Sequence, residues 1–115
     1  MRVDLTPAQR EIAYGAREFF EAEYDVERLR LDWESNGRVD EAAWRKLASM
    51  GFFGLPVPER DGGLGQGVVE LALVVEESGR AAYSAPLLET LAAVPTLVDA
   101  GPSADMWLES IVAGD

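Results

Sequence analysis

The spacing of apolar and polar positions predicts helices over most of this chain. Thr6, Pro7 and Gln9 read as an N-cap, a first helical position and the third-position partner of a capping box. Behind them Ile12, Ala16, Phe19 and Phe20 recur on one helical face, while Arg10, Glu11, Arg17, Glu18 and Glu21 fill the other. Tyr24 and Asp25 mark a break. A second stretch places Leu29 and Trp33 on one side and ends at Ser35-Asn36-Gly37. Asp40 is a good N-cap for a third helix, with Trp44, Leu47 and Ala48 facing inward and Gly51 as its stop.

Residues 52–67 break the pattern. Pro56, Pro58, Gly62, Gly63, Gly65 and Gly67 disfavour both helix and central strand. Phe52, Phe53, Leu55 and Leu64 are too apolar to be left in water, so an ordered loop is expected. Residues 68–78 are rich enough in valine to suit a buried strand. Their length and the acidic continuation through Glu76 and Glu77 favour a helix. Ser84 and Pro86 are expected to open the next helix, which runs to about Ala100 and stops at Gly101. Pro95 inside it should kink or divide it. A last helix, from Ser103 to about Ala113, carries Trp107, Leu108, Ile111 and Val112 on its apolar side. The fold class is therefore all-α: a bundle of about five to six helices with one long, ordered Gly/Pro-rich loop.

Two of these helices are apolar almost all round. A helix of a small domain shows a stripe, and one that is apolar on every side belongs to the interior of something larger. Leaving such surface wet invites association, so the pattern predicts a missing neighbour, either a partner or further chain.

Composition narrows the chemistry. With 115 residues there is room for one core. A formal net charge of −11, with no basic residue beyond Arg80, argues against nucleic acid and against an anionic membrane surface. The start at Met1-Arg2-Val3-Asp4 has no apolar signal core, and no run is long enough to span a bilayer, so a cytoplasmic location is expected. Absence of cysteine and histidine excludes thiolate nucleophiles, structural zinc sites and Ser–His or Cys–His pairs within the chain. An independent hydrolase or metal enzyme is correspondingly disfavoured, and no metal ligands are assigned.

The candidate motifs have structural readings. The stretch from Glu59 to Gly65 lacks the lysine and spacing of a phosphate loop, and Asp61 would repel a phosphate, so its glycines read as a turn. Glu76 and Glu77 point in different directions on a helix and form no acid–base dyad. Either could pair with Arg80. The charges from Glu21 to Glu34 read as a solvated face, and Trp33, Trp44 and Trp107 as core anchors. Leu87, Leu88 and Leu91 suit either a core or one wall of an apolar pocket.

Taken in order, these segments resemble a known family. Met50-Gly51-Phe52-Phe53-Gly54-Leu55-Pro56-Val57-Pro58-Glu59, followed by Gly62-Gly63-Leu64-Gly65, is similar to a signature of the N-terminal helical domain of acyl-CoA dehydrogenases. Glu76-Glu77-Ser78-Gly79-Arg80, Asp99-Ala100-Gly101 and the closing Ile111-Val112-Ala113-Gly114-Asp115 follow at the family's distances. Glu23-Tyr24-Asp25-Val26-Glu27-Arg28-Leu29-Arg30, with Trp33-Glu34, resembles actinobacterial members that handle steroid and other bulky acyl-CoA thioesters.

The resemblance implies a flavin-dependent enzyme that removes two hydrogens across the α,β-carbons of an acyl-CoA. A glutamate takes the α-proton, a hydride goes to FAD, and an electron-transfer flavoprotein receives the electrons. The base and most of the flavin site belong to a β-domain and a C-terminal helical domain absent from this sequence. No catalytic or cofactor-binding residue is therefore assigned, and the isolated chain is expected to retain no FAD. The resemblance carries over the acyl-chain wall, at Tyr83, Leu87, Leu88 and Leu91, with a register blurred by an apparent contraction over residues 81–85. The expected partners are the remaining dehydrogenase domains or a complementing subunit. The other reading is a stand-alone helical module that docks to a dehydrogenase and assembles with it.

Overall fold

A computed structural model describes residues 4–115; the polar start at residues 1–3 lies outside them. Six α-helices appear among these residues: α1 (Pro7–Glu23), α2 (Val26–Glu34), α3 (Glu41–Ser49), α4 (Val68–Arg80), α5 (Leu87–Ala100) and α6 (Asp105–Ala113). No strand is present among the described residues, so residues 68–78 are helical.

The caps read from sequence form as expected. Thr6 and Gln9 make a reciprocal box at the start of α1, and Asp40 accepts from the Ala42 and Ala43 amides to open α3. Gly51 follows α3 at φ +83°, a conformation that glycine adopts without steric cost. Two expected boundaries move. α5 begins at Leu87 with Pro86 as its N-cap, while Ser84 lies in the preceding link. A 3-10 turn, Gly101–Ala104, precedes α6, which starts at Asp105 rather than Ser103. Pro95 does not divide α5, which remains one helix from Leu87 to Ala100.

The framework is a parallel pairing of α1 with α4, at a constant sequence offset. Gln9 Nε2 donates to Glu70 Oε1 (2.9 Å), Arg17 reaches Glu77, and Tyr24 Oη lies 3.3 Å from Ser84 Oγ. These links span 61, 60 and 60 positions. Between them Ala16, Phe19, Phe20, Leu71 and Val74 enter the core, joined by Leu47, Ala48, Phe52, Phe53 and Leu55. α6 closes the far side against α3 and α5.

Residues 52–67 form an ordered loop built on backbone hydrogen bonds. Leu64 N donates to Gly54 O, Gly65 N to Val57 O and Gln66 N to Leu55 O. These satisfy the groups that a regular element would otherwise pair. Gly63 is required there, because a Cβ on it would lie 2.1 Å from the Val57 carbonyl oxygen. Phe52, Phe53 and Leu55 are buried as expected. Leu64 is not: it stays exposed at the loop's outer edge.

The tryptophans also divide. Trp44 packs on Phe53 with ring centroids 4.9 Å apart. Trp33 and Trp107 are 71% and 59% exposed, so the anchor reading fails for both. Neither α2 nor α6 has a fully buried residue, because each lies against the bundle on only part of its surface. The charged run on α2 is likewise not simply solvated. Arg28 pairs with Asp32 and Asp40, and Asp32 accepts from Tyr24 Oη at 2.5 Å.

Candidate functional site

α4 and α5 pack through one stripe each and leave a second apolar stripe facing outward. α5 buries Leu87, Leu91 and Val94, and α4 buries Leu71 and Val74 in its middle turns. Beside this seam runs an open groove of about 540 Å³. α4 supplies Val68, Leu71, Ala72, Val75 and Glu76, and α5 supplies Leu88, Leu91, Ala92 and Pro95. Apolar side chains thus form almost the whole wall, the composition of a site that binds a hydrophobic group.

The residues singled out from sequence separate in space. Leu88, 58% exposed, and Leu91, nearly fully buried, both line the groove. Leu87, 2% exposed, points into the core. Tyr83 lies outside the groove, its ring centroid 5.3 Å from that of Phe20 and 4.9 Å from that of Tyr24. Burial pushes the Tyr83 hydroxyl up to about 12, so it stays protonated across the physiological range. Tyr24 is also raised, first by burial and then by its hydrogen bond to Asp32. The α4 half of the groove was not nominated from sequence. Its signal was present in the nearly continuous apolar character of residues 68–75, which provides for two faces at once.

The seam's polar groups hold structure. Arg17 donates from Nε and Nη2 to the two carboxylate oxygens of Glu77, at 3.1 and 2.8 Å, and Arg80 approaches Glu77 at 3.2 Å. Glu77 is buried, and the Arg17 hydrogen bonds hold its carboxyl below the usual range. Glu70 is lowered too, chiefly by Gln9, while its other oxygen caps Gly67 N. Helix-end pairing with Arg80 thus falls to Glu77, which also accepts the unanticipated Arg17. No buried side-chain polar atom lacks a partner, and no cluster suited to a metal ion occurs among the described residues.

These residues do not fit a flavin dinucleotide by themselves. A pyrophosphate asks for free donors, and the guanidinium groups beside this seam are committed to Glu77. No described helix is long and apolar enough to cross a membrane.

Residues 6–115 match the family model described as acyl-CoA dehydrogenase, N-terminal domain. The chain is 30% identical over its whole length to acyl-CoA dehydrogenase FadE29 of Mycobacterium tuberculosis, spanning 30% of that protein. It is 39% identical over 83 residues to acyl-CoA dehydrogenase IpdE2 of the same organism, covering 70% of this chain and 26% of that one. Pig mitochondrial long-chain specific acyl-CoA dehydrogenase is 29% identical over 96 residues, which cover 72% of this chain and 22% of the relative. Among solved structures, a chain of the ChsE4–ChsE5 complex from M. tuberculosis superposes with a TM-score of 0.75 at 26% identity. That match covers all of this chain and 30% of the other.

Proposed function

The chain belongs to the acyl-CoA dehydrogenase family, and we propose that it acts within a larger enzyme, where its α4–α5 groove forms one wall of the acyl pocket. The reaction is α,β-dehydrogenation of an acyl-CoA thioester, with FAD as hydride acceptor and an electron-transfer flavoprotein downstream. The β-domain and C-terminal helical domain, or a partner subunit that provides them, complete the site. FAD supplies the redox chemistry when bound there, and this chain's part is to exclude water and shape the acyl end of the cavity. The relatives are about three times longer than this chain, and the match across residues 6–115 favours an enzyme domain over a free-standing assembly module. The mycobacterial acyl-CoA dehydrogenases among the relatives and the likeness to a chain of a two-component complex support a second subunit as partner. The resemblance of residues 23–34 to members that handle bulky thioesters extends the proposal to a bulky or steroid-like acyl group.

One observation carries the reading: an apolar groove opens between α4 and α5, and Leu88 and Leu91 line it from α5. In the complete enzyme, Leu88→Trp should fill the groove and lower kcat/KM for bulky thioesters by about tenfold relative to short ones, as expected for a small-to-large change in an apolar pocket. An unchanged preference for bulk would reject Leu88 as pocket wall. The assignment of Tyr83 and Leu87 to the acyl site is part of the proposal, both acting from outside the groove itself, Leu87 from the core and Tyr83 through its packing on Phe20 and Tyr24. A Tyr83→Phe enzyme should keep its size preference, because the substitution retains the ring and its packing on Phe20 and Tyr24.

A further inference from the structure

The groove has one charged lining residue, Glu76, and no cation. Arg80 stands one turn further on and is well spaced to neutralise Glu76, yet it pairs with Glu77. Arg17 is likewise held on Glu77, by two hydrogen bonds. Glu76 forms no ion pair among the described residues. It also lies toward one end of the groove: from Val68 to Glu76 is eight helical positions, a rise of roughly 12 Å. Glu76 is exposed in this chain; once further chain covers the groove, its apolar walls weaken the screening of that charge, and a second carboxylate brought beside it is repelled more than it would be in water.

We infer that Glu76 is a specificity-determining residue that restricts the α4–α5 groove to acyl groups with an uncharged far end and rejects those ending in a carboxylate. The inference rests on the groove being the acyl wall proposed above. A neutral alkyl or ring terminus loses nothing beside Glu76, and a hydroxyl there can donate to it. A terminal carboxylate meets like charge with no compensating cation in the wall.

The test uses the flavin-loaded complete enzyme that carries this domain. An acyl-CoA and its ω-carboxy analogue of equal chain length are compared by kcat/KM in the unmodified enzyme, Glu76→Gln, Glu76→Lys and Leu88→Trp. The unmodified enzyme should prefer the neutral thioester by at least about tenfold. Glu76→Gln should narrow that ratio severalfold, and Glu76→Lys should narrow it further or invert it. A ratio unmoved by either Glu76 substitution, while Leu88→Trp changes the preference for bulk, overturns the role of Glu76 and leaves the groove assignment standing. If Leu88→Trp leaves the preference for bulk unchanged as well, both fail.

Discussion

Arg17 and Glu77, sixty positions apart, meet across the parallel helices α1 and α4 through two hydrogen bonds, with the carboxylate buried and the guanidinium partly exposed. The pair fixes both the rotation and the register of the two longest contacting faces. Its charge state matters because Glu77 is held below its ordinary value of 4.5, first by the Arg17 hydrogen bond. A depressed carboxyl contributes stability that is present above the unfolded value and lost as pH falls toward the folded one. Glu77→Gln should therefore cost about 1–2 kcal/mol at neutral pH and flatten the acid limb of the stability curve. Urea titrations across the carboxylate range check this. Equal acid sensitivity in the variant would remove Glu77 as its source.

Two glycines should respond to alanine in opposite ways. Gly63→Ala places a methyl against the Val57 backbone and should destabilise the chain by about 3 kcal/mol. Gly15 is helical, with nothing within 4 Å of its added Cβ, so Gly15→Ala should stabilise by about 0.5–1 kcal/mol. Denaturant midpoints of the two variants, measured side by side, test the packing of the loop.

Ala82 holds φ +54° in the turn that closes α4, where Tyr83 N donates to Ser78 O and Ala82 N to Gly79 O. This closure prefers glycine at the left-handed position. Ala82→Gly should raise stability by about 0.5–1 kcal/mol. A loss of stability would mean that the turn is not strained in solution.

Neighbouring leucines on α5 should differ as sharply as their surroundings. Leu87→Trp overfills the core and should cost about 1–3 kcal/mol. Leu88→Trp, on an exposed position, should change stability by less than about 0.5 kcal/mol. The contrast makes Leu88 the cleaner probe of the acyl wall, and thermal melts of both variants measure it.

Quenching of tryptophan emission by acrylamide should distinguish the three indoles. Trp33 and Trp107 should be strongly quenched in the 115-residue chain, and Trp44, stacked on Phe53, should be protected. Single Trp→Phe variants assign the signals. In a complete enzyme, protection gained at Trp107 or Trp33 would identify which of α6 and α2 is covered by further chain or by a partner.

Much of the fold was legible from neighbouring residues. Thr6 with Gln9, Asp40, Gly51 and the Glu77–Arg80 spacing encode helix ends and one-turn contacts, and such features depend on geometry within a few residues. The three-to-four spacing of Ala16, Phe19 and Phe20 named the buried face of α1 for the same reason. Family membership was also legible, because the run from Met50 to Gly65 resembles a family signature, and within it Gly63 answers a close backbone approach set by nearby residues. The site was less so. Periodicity placed Leu87, Leu88 and Leu91 together and could not say that Leu87 turns inward while Leu88 lines a groove. Trp33, Trp107 and Leu64 were apolar enough to suggest burial, yet no helix of this chain reaches them fully. Arg17, placed on the polar face of its own helix, found Glu77 only because α4 docks parallel to α1. The sequence by itself determined the helices, the caps of α1 and α3, and the family. Tertiary structure alone decided which apolar faces meet and which stay open, because that choice depends on how helices distant in sequence pack against one another.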